Sequence, residues 1–476
     1  MPFGGGKQIY PKAVKEYYSS VGNAWKELGV FSGISLVAGM TIGSGIYYLG
    51  SYVLERVNMS MGMALVCWIV GGIVSILGGL CFAELGAEMP VTGGMTTYLA
   101  KAYHPLAGFV NGFSGFLLTA SGSIASLALA AVTPFQEEFA FSEPVTKAIA
   151  IGLIVLFTII NLRGIKTAAA IQNISMVLRL VPLVLVIVLG VFAGKNQPDL
   201  SLATAFTTDT PPTFFNIVKV IGYATFASLW AYEGWTNLNT VAGEMKRPKR
   251  DLPLAIIISM GGIMLIYTLF NFAVYRIIPQ AEVNSMIADG NIYLGKTAAF
   301  NVMGNFGKWI VLIGMAVGIV GTVNGDCLVF PRTYYAMARG GFFFKKCGEV
   351  NDKGVPAFAI IASSAMSIIL VLFNSLQQLT DWLVTVSALL NLMAIFAVLI
   401  FRKKYPDMER PYKVWGGVPV IILTCLLFVV LLVNNFVEDP LTSAKGLIII
   451  ALCIPFYYIF RKLNGGMEYD TDKIDN

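Results

Sequence analysis

Charge is what this sequence most lacks. Only 13% of its 476 residues are Asp, Glu, Lys or Arg, against 56% that are hydrophobic, about half the charged fraction of a water-soluble domain. Such a chain cannot solvate its own surface, which excludes a soluble globular fold. The single His104 leaves no means of assembling a zinc cluster or a Ser–His–Asp arrangement, so hydrolytic chemistry is not expected. Cysteines occur at 67, 81, 327, 347, 425 and 453. They have no metal-ligand spacing; five lie in apolar runs and read as small core residues. No metal and no cofactor are expected. A basic patch on a soluble surface is also missing, so the net charge of +6 does not point to nucleic acid. The first 26 residues are polar and basic, unlike a cleavable signal peptide.

What the sequence has is apolar length. A helix needs roughly 20 apolar residues to cross a bilayer, because every backbone polar group must be satisfied within the segment. Twelve such runs are predicted near 31–55, 61–86, 106–133, 146–162, 172–193, 214–241, 253–278, 302–331, 357–374, 381–401, 417–435 and 444–460. The predicted fold is thus an all-α membrane protein. Alternate connections are basic: the arm with Lys7, Lys12, Lys15 and Lys26, the Arg163/Lys166 turn, Lys246 to Arg250, Arg332 to Lys353, Arg402 to Lys413, and the C-terminal tail. The opposite connections are short or acidic, as with Glu137, Glu138 and Glu143, Glu282 and Asp289, and Glu438 and Asp439. Lys and Arg are retained on the cytoplasmic side, so both termini are expected there, in a multi-pass protein of the plasma membrane.

Two spans carry interruptions. The first reads Gly39-Met40-Thr41-Ile42-Gly43-Ser44-Gly45-Ile46-Tyr47. A small-xxx-small packing seam spaces its small residues four apart, whereas these are consecutive, which favours local unwinding. The sixth span, from Phe226 to Asn237, carries Glu233, Gly234 and three large aromatics, Trp230, Tyr232 and Trp235. An offset of five spans suits an inverted repeat whose broken helices free backbone groups for substrate. Repeat one would cover about 28–193 and repeat two about 214–401, with accessory helices at 417–460. A cytoplasmic arm (1–27) and tail (463–476) would flank a membrane domain at 28–462.

These motifs resemble the APC superfamily of amino-acid transporters, and most closely its L-type branch. Ile42-Gly43-Ser44-Gly45-Ile46 is similar to the first-helix signature, and Cys81-Phe82-Ala83-Glu84-Leu85-Gly86 to the end of the second helix. Leu229 to Trp235 followed by Glu244 to Ile256 resembles the sixth helix and next loop of the L-type branch. Gly321-Thr322-Val323-Asn324-Gly325 with Arg332 resembles the eighth helix, and Arg402 to Lys413 the loop before the eleventh. The resemblance implies a LeuT-type 5+5 inverted repeat with broken helices one and six, and alternating access. It also implies substrate contacts from Thr41, Ile42, Gly43, Ser44, Gly45 and Ile46 and from Trp230, Ala231, Tyr232, Glu233 and Gly234. The substrate carboxylate would meet the N-terminus of a half-helix at Gly43 to Ile46, whose unpaired N–H groups carry partial positive charge. The α-amino group would meet carbonyls of helices one and six.

Three ionisable residues, Arg179, Glu233 and Asp326, fall at mid-depth, where each is costly and marks function by default. Glu233 stands where neutral-substrate members of the resembling family have Gly and exchangers of cystine and dibasic amino acids have Asp. It faces a cationic side chain, pairs with Arg179, or titrates with a proton. Arg179 stands where the family has a Lys that replaces a sodium ion by bridging helices one and eight; sodium independence is expected, although a guanidinium is not an ammonium. Asp326 either pairs with Arg179 or the two find separate partners such as carbonyls, Thr322 or water. Trp230 is expected to close over the substrate, while Tyr232 and Trp235 are weighed against ordinary packing. The leading function is an amino-acid exchanger, the rival a proton-coupled symporter; a membrane-embedded sensor or enzyme would need a catalytic constellation or a soluble domain. Residues 134–145 lack the cysteine through which exchangers of this branch join a heavy chain, so no disulfide-linked partner is expected.

Overall fold

The structure, a computed structural model, describes residues 29–89, 94–163, 175, 178–208, 210–352, 354–408 and 410–463. Lys7, Lys12, Lys15, Lys26, Lys166, Lys353 and the tail after residue 463 lie outside the described residues. The regular elements among the described residues are helices, chiefly α1 (Val30–Thr41), α2 (Gly45–Arg56), α3 (Met61–Glu88), α4 (Gly94–Ala102), α5 (Pro105–Phe135), α6 (Glu143–Leu162), α7 (Leu180–Ala193), α8 (Phe214–Tyr232), α9 (Pro248–Ile277), α10 (Leu294–Val329), α11 (Ala357–Phe373), α12 (Leu376–Lys404), α13 (Gly417–Glu438) and α14 (Pro440–Leu463), with shorter helices such as Gln280–Ala288 and Pro331–Arg339 between them.

Among the described residues nine helices are long and apolar enough to cross a membrane, and the bent pair formed by α1 and α2 makes ten. The runs near 172–193 and 357–374 give the shorter helices α7, of 14 residues, and α11, of 17 residues. At 1.5 Å per residue each falls short of a bilayer core of about 30 Å. The number established by length is therefore nine or ten, where the sequence predicted twelve. Large apolar side chains stand outward along these helices, among them Val184, Leu265, Leu426 and Val433, each more than half exposed. Lipid satisfies such a surface and water does not.

Both expected interruptions are present. α1 stops at Thr41, and α2 resumes at Gly45 with its axis turned by 55°. α8 stops at Tyr232; Glu233 is extended, Gly234 takes φ +132°, and a 3-10 helix runs over Trp235–Glu244. Gly234 occupies a backbone region that L side chains rarely adopt. The two breaks touch: a Cβ on Gly45 would lie 2.7 Å from Ala231 Cα, and one on Gly234 2.9 Å from the backbone of Met40 and Thr41.

Ion pairs fasten the ends of the bundle. At one end Glu84, fully buried, accepts from Arg402 Nε and Nη2 at 2.7 Å each and from the Val414 N–H at 2.7 Å. The two motifs read separately in the sequence are thus one fork-to-fork contact. At the other end Glu138 meets Lys308 at 2.6 Å and Lys296 at 3.6 Å.

Arg402→Ala strands the buried Glu84 carboxylate and is expected to cost about 3–5 kcal/mol. The midpoint of thermal unfolding in detergent should fall, and Arg402→Lys, which lacks the fork, should restore it only in part. Burial works against the Glu138 carboxylate, but its contacts with Lys308 and Lys296 outweigh this and lower its pKa. A depressed carboxylate stabilises above its ordinary pKa, and the gain disappears as pH falls through the folded value. The thermal advantage of the wild type over Glu138→Gln should therefore hold at neutral pH and vanish in acid.

Candidate functional site

A cavity of about 230 Å³ lies where the two breaks meet, bounded further by α5, α10 and α12. Of the residues singled out in the sequence, Thr41, Gly43, Ser44, Gly45, Trp230, Glu233, Gly234, Thr322 and Asp326 line it. Ile42, Ile46, Ala231, Tyr232 and Arg179 stand behind that wall.

The break in the first span builds one side. Gly43, Ser44 and Gly45 interrupt the helix because small and polar residues hold it weakly. Ser44 caps α2 without a side-chain hydrogen bond, and the N–H groups of Ser44, Gly45 and Ile46 find no acceptor among the described residues. Buried Thr41 Oγ1 is likewise without a partner among them, while the Ser44 hydroxyl faces that of Tyr48. Unpaired donors at a helix N-terminus are a ready place for a carboxylate.

Arg179, 1% exposed, holds the break from behind. Its Nη1 donates to the carbonyls of Gly39 and of Ile42, the latter at 2.9 Å, and its own carbonyl accepts from Tyr47 Oη at 3.0 Å. One residue thereby ties α1 and α2 together. No ion pair forms between Arg179 and Asp326, nor between Arg179 and Glu233; main-chain carbonyls take the guanidinium instead. Asp326 Oδ2 accepts from Ser123 Oγ at 2.7 Å. The Thr322 hydroxyl bonds back to the Gly318 carbonyl at 3.3 Å, as a helical threonine does, and not to Arg179.

The aromatics divide. Trp230 lines the cavity. The Tyr232 side chain, fully buried, turns away, donates to the Trp68 carbonyl at 2.7 Å and packs on Trp68 and Tyr267. Trp235 packs edge-on against Phe82 with ring centroids 5.0 Å apart. For the side chains of Tyr232 and Trp235 the geometry matches the packing alternative, because their rings fill the core against α3.

Sequence reasoning missed several members of the site. Tyr267 Oη reaches the carbonyls of Thr41 and Ala231, both at 3.1 Å, and so links the two breaks. Asn391 lies beside Glu233 on the cavity wall, and Ser123 and Thr119 come from α5, whose Gly115–Thr119 segment is a π turn. Asn391 and the Thr119-Ala120-Ser121-Gly122-Ser123 string were visible as polar interruptions of apolar runs; Tyr267 had no such signal.

The model of the amino acid permease family matches residues 28–460. The chain belongs to that family. It is 30% identical to the serine/threonine exchanger SteT of Bacillus subtilis over 445 residues, covering 92% of this chain and 97% of that protein. It is 28% identical to the human b(0,+)-type amino acid transporter 1 over 458 residues (94% and 91%) and 28% identical to the human cystine/glutamate transporter over 442 residues (91% and 85%). The permease is thus an amino-acid transporter of the APC superfamily with relatives in the L-type branch, and not an enzyme.

Arg179→Ala is expected to abolish amino-acid uptake into proteoliposomes and to destabilise the permease by on the order of 3 kcal/mol, since buried carbonyls lose a charged donor. Gly45→Val, which collides with Ala231, should abolish uptake as well.

Proposed function

We propose that the permease is a sodium-independent exchanger of α-amino acids and that Glu233 favours substrates carrying extra positive charge. The observation that carries this reading is the charge of the cavity wall. It holds two carboxylates, Glu233 and Asp326, and no Lys, Arg or His among the described residues, beside free N–H groups suited to the α-carboxylate. Two unit charges about 4 Å apart interact by roughly 4 kcal/mol at an effective dielectric near 20. A cationic side chain therefore gains what a neutral one does not.

Alternating access is supported by the asymmetry of the cavity, which extends towards α4 and Tyr334. The other end of the bundle is held by Arg56, 3.2 Å from Asp381 and 4.2 Å over the Tyr223 ring. The cavity so drawn suits an inward-facing state, with both termini cytoplasmic in the plasma membrane. In this reading α7 and α11 also cross, with residues outside the described set completing the span of α7. That gives twelve spans and a LeuT-type repeat, with its halves at 28–193 and 214–401. The permanent charge of Arg179 against α1 does the work a sodium ion would do there, in line with the exchange named for the Bacillus relative. The absence of cysteine from 134–145 supports function without a disulfide-linked heavy chain.

The test is uptake of labelled lysine and leucine into proteoliposomes, with and without internal amino acid and without ion gradients. Lysine uptake that appears only with internal substrate is expected, and Glu233→Gln should reduce the preference for lysine over leucine by about ten-fold or more. Uptake that needs an imposed proton gradient would replace exchange by symport, and a Glu233→Gln protein with unchanged preference would remove the role of Glu233.

A further inference from the structure

Asp326 is not explained by the architecture of the breaks. It sits on α10, 5% exposed, on the cavity wall. Its one hydrogen bond is the Ser123 hydroxyl on Oδ2, which leaves Oδ1 without a protein donor among the described residues. No cation among them lies within ion-pair distance. Arg179, which packs against the same helix at Gly318 and Gly321, uses Nη1 for the first-span carbonyls and acts on Asp326 only from beyond ion-pair distance. A carboxylate in a membrane span is retained where something uses its charge.

Its surroundings are built for a donor-rich group. Buried Ser121, Tyr334 and Ser363 bring their hydroxyls together near Asp326, the two serines facing the Tyr334 hydroxyl. Tyr334, Thr119 and Ser123 share the wall with Asp326. A Cβ on Gly115 would lie 3.8 Å from Thr119 Oγ1 and 3.9 Å from Tyr334 Oη, so that these hydroxyls cluster at the π turn Gly115–Thr119. π turns widen a helix and occur frequently at functional sites. Asp326 and Glu233 project from different elements, α10 and the end of α8, so they are two positions of negative charge facing one cavity.

We infer that Asp326, steadied by Ser123 and flanked by the hydroxyls at the π turn, is the subsite for the terminal ammonium or guanidinium of the substrate side chain. The inference rests on the cation preference proposed above and adds a second, separate determinant to it. An ammonium brings three donors and a guanidinium five. Asp326 Oδ1 takes one, and hydroxyl oxygens at the π turn are at hand for others. Dibasic α-amino acids are the class selected, and the same side chain without its cation leaves Asp326 unpaired.

The decisive comparison is lysine against norleucine, equal in side-chain carbons but unequal in charge, as competitors of labelled leucine exchange in proteoliposomes. In Asp326→Asn the inhibition constant of lysine is expected to rise about ten-fold or more relative to that of norleucine. Ser123→Ala, which keeps the carboxylate but loses its support, should shift the same ratio in the same direction by a smaller factor. A lysine-to-norleucine ratio unchanged in Asp326→Asn would overturn the inference. Should that variant not fold, an unchanged ratio in Ser123→Ala would overturn it equally. If Glu233→Gln loses the discrimination while Asp326→Asn keeps it, the cation preference stands and the Asp326 subsite falls. A wild type that does not discriminate lysine from norleucine removes both.

Discussion

A guanidinium buried against the carbonyls of an interrupted helix is the contact on which the site depends. Where α1 ends at Thr41, its last carbonyls face the interior without intrahelical partners, a costly arrangement inside a membrane. Arg179 supplies a fixed charge to Gly39 and Ile42 and, through its own carbonyl, a place for Tyr47 of α2. Tyr267 does the same in miniature, reaching Thr41 from the first break and Ala231 from the second. With the carbonyl side of the break so occupied, the N–H side at Ser44 and Gly45 stays open to the cavity. The lack of side chains at Gly318 and Gly45 matters for the same reason: each lets a neighbour, Arg179 or Ala231, come closer than a Cβ would permit.

The distribution of charge follows from this. The positive group sits behind the wall and the two carboxylates sit on it, so a ligand in the cavity meets acid side chains and free backbone donors. An α-amino acid offers the complementary pattern, carboxylate to the N–H groups and cations to the acids. α12 connects this site with both ends of the bundle. Asp381 near its start holds Arg56 of α2, Arg402 near its end holds Glu84 of α3, and Asn391 between them stands beside Glu233. Charged contacts thus join α12 to α2 at one end and to α3 at the other.

The breaks were legible in the sequence because Gly-Ser-Gly and Glu-Gly both weaken a helix and place polar groups at the middle of an otherwise apolar span. The three ionisable residues within apolar runs, Arg179, Glu233 and Asp326, were legible for the same reason. Their partners were not. Whether Arg179 meets Asp326 or a carbonyl turns on a few ångströms between helices far apart in the chain, and hydropathy carries no such distance. Tyr232 and Trp235 share a helix end with Trp230, and only the direction each ring takes separates wall from core. The lengths of the two short helices α7 and α11 were not legible in hydropathy either: the run near 172–193 begins among residues outside the described set, and the one near 357–374 makes a helix of 17 residues.

Backbone hydrogen exchange over residues 39–47 and 231–237, with and without substrate amino acid, tests the central claim most directly. If the interruptions form the binding site, amides of Ser44, Gly45 and Ile46 exchange quickly in the empty permease and become protected when substrate binds, along with those after Glu233. Protection confined to other helices, with both breaks unchanged at saturating substrate, would contradict a binding site at the breaks.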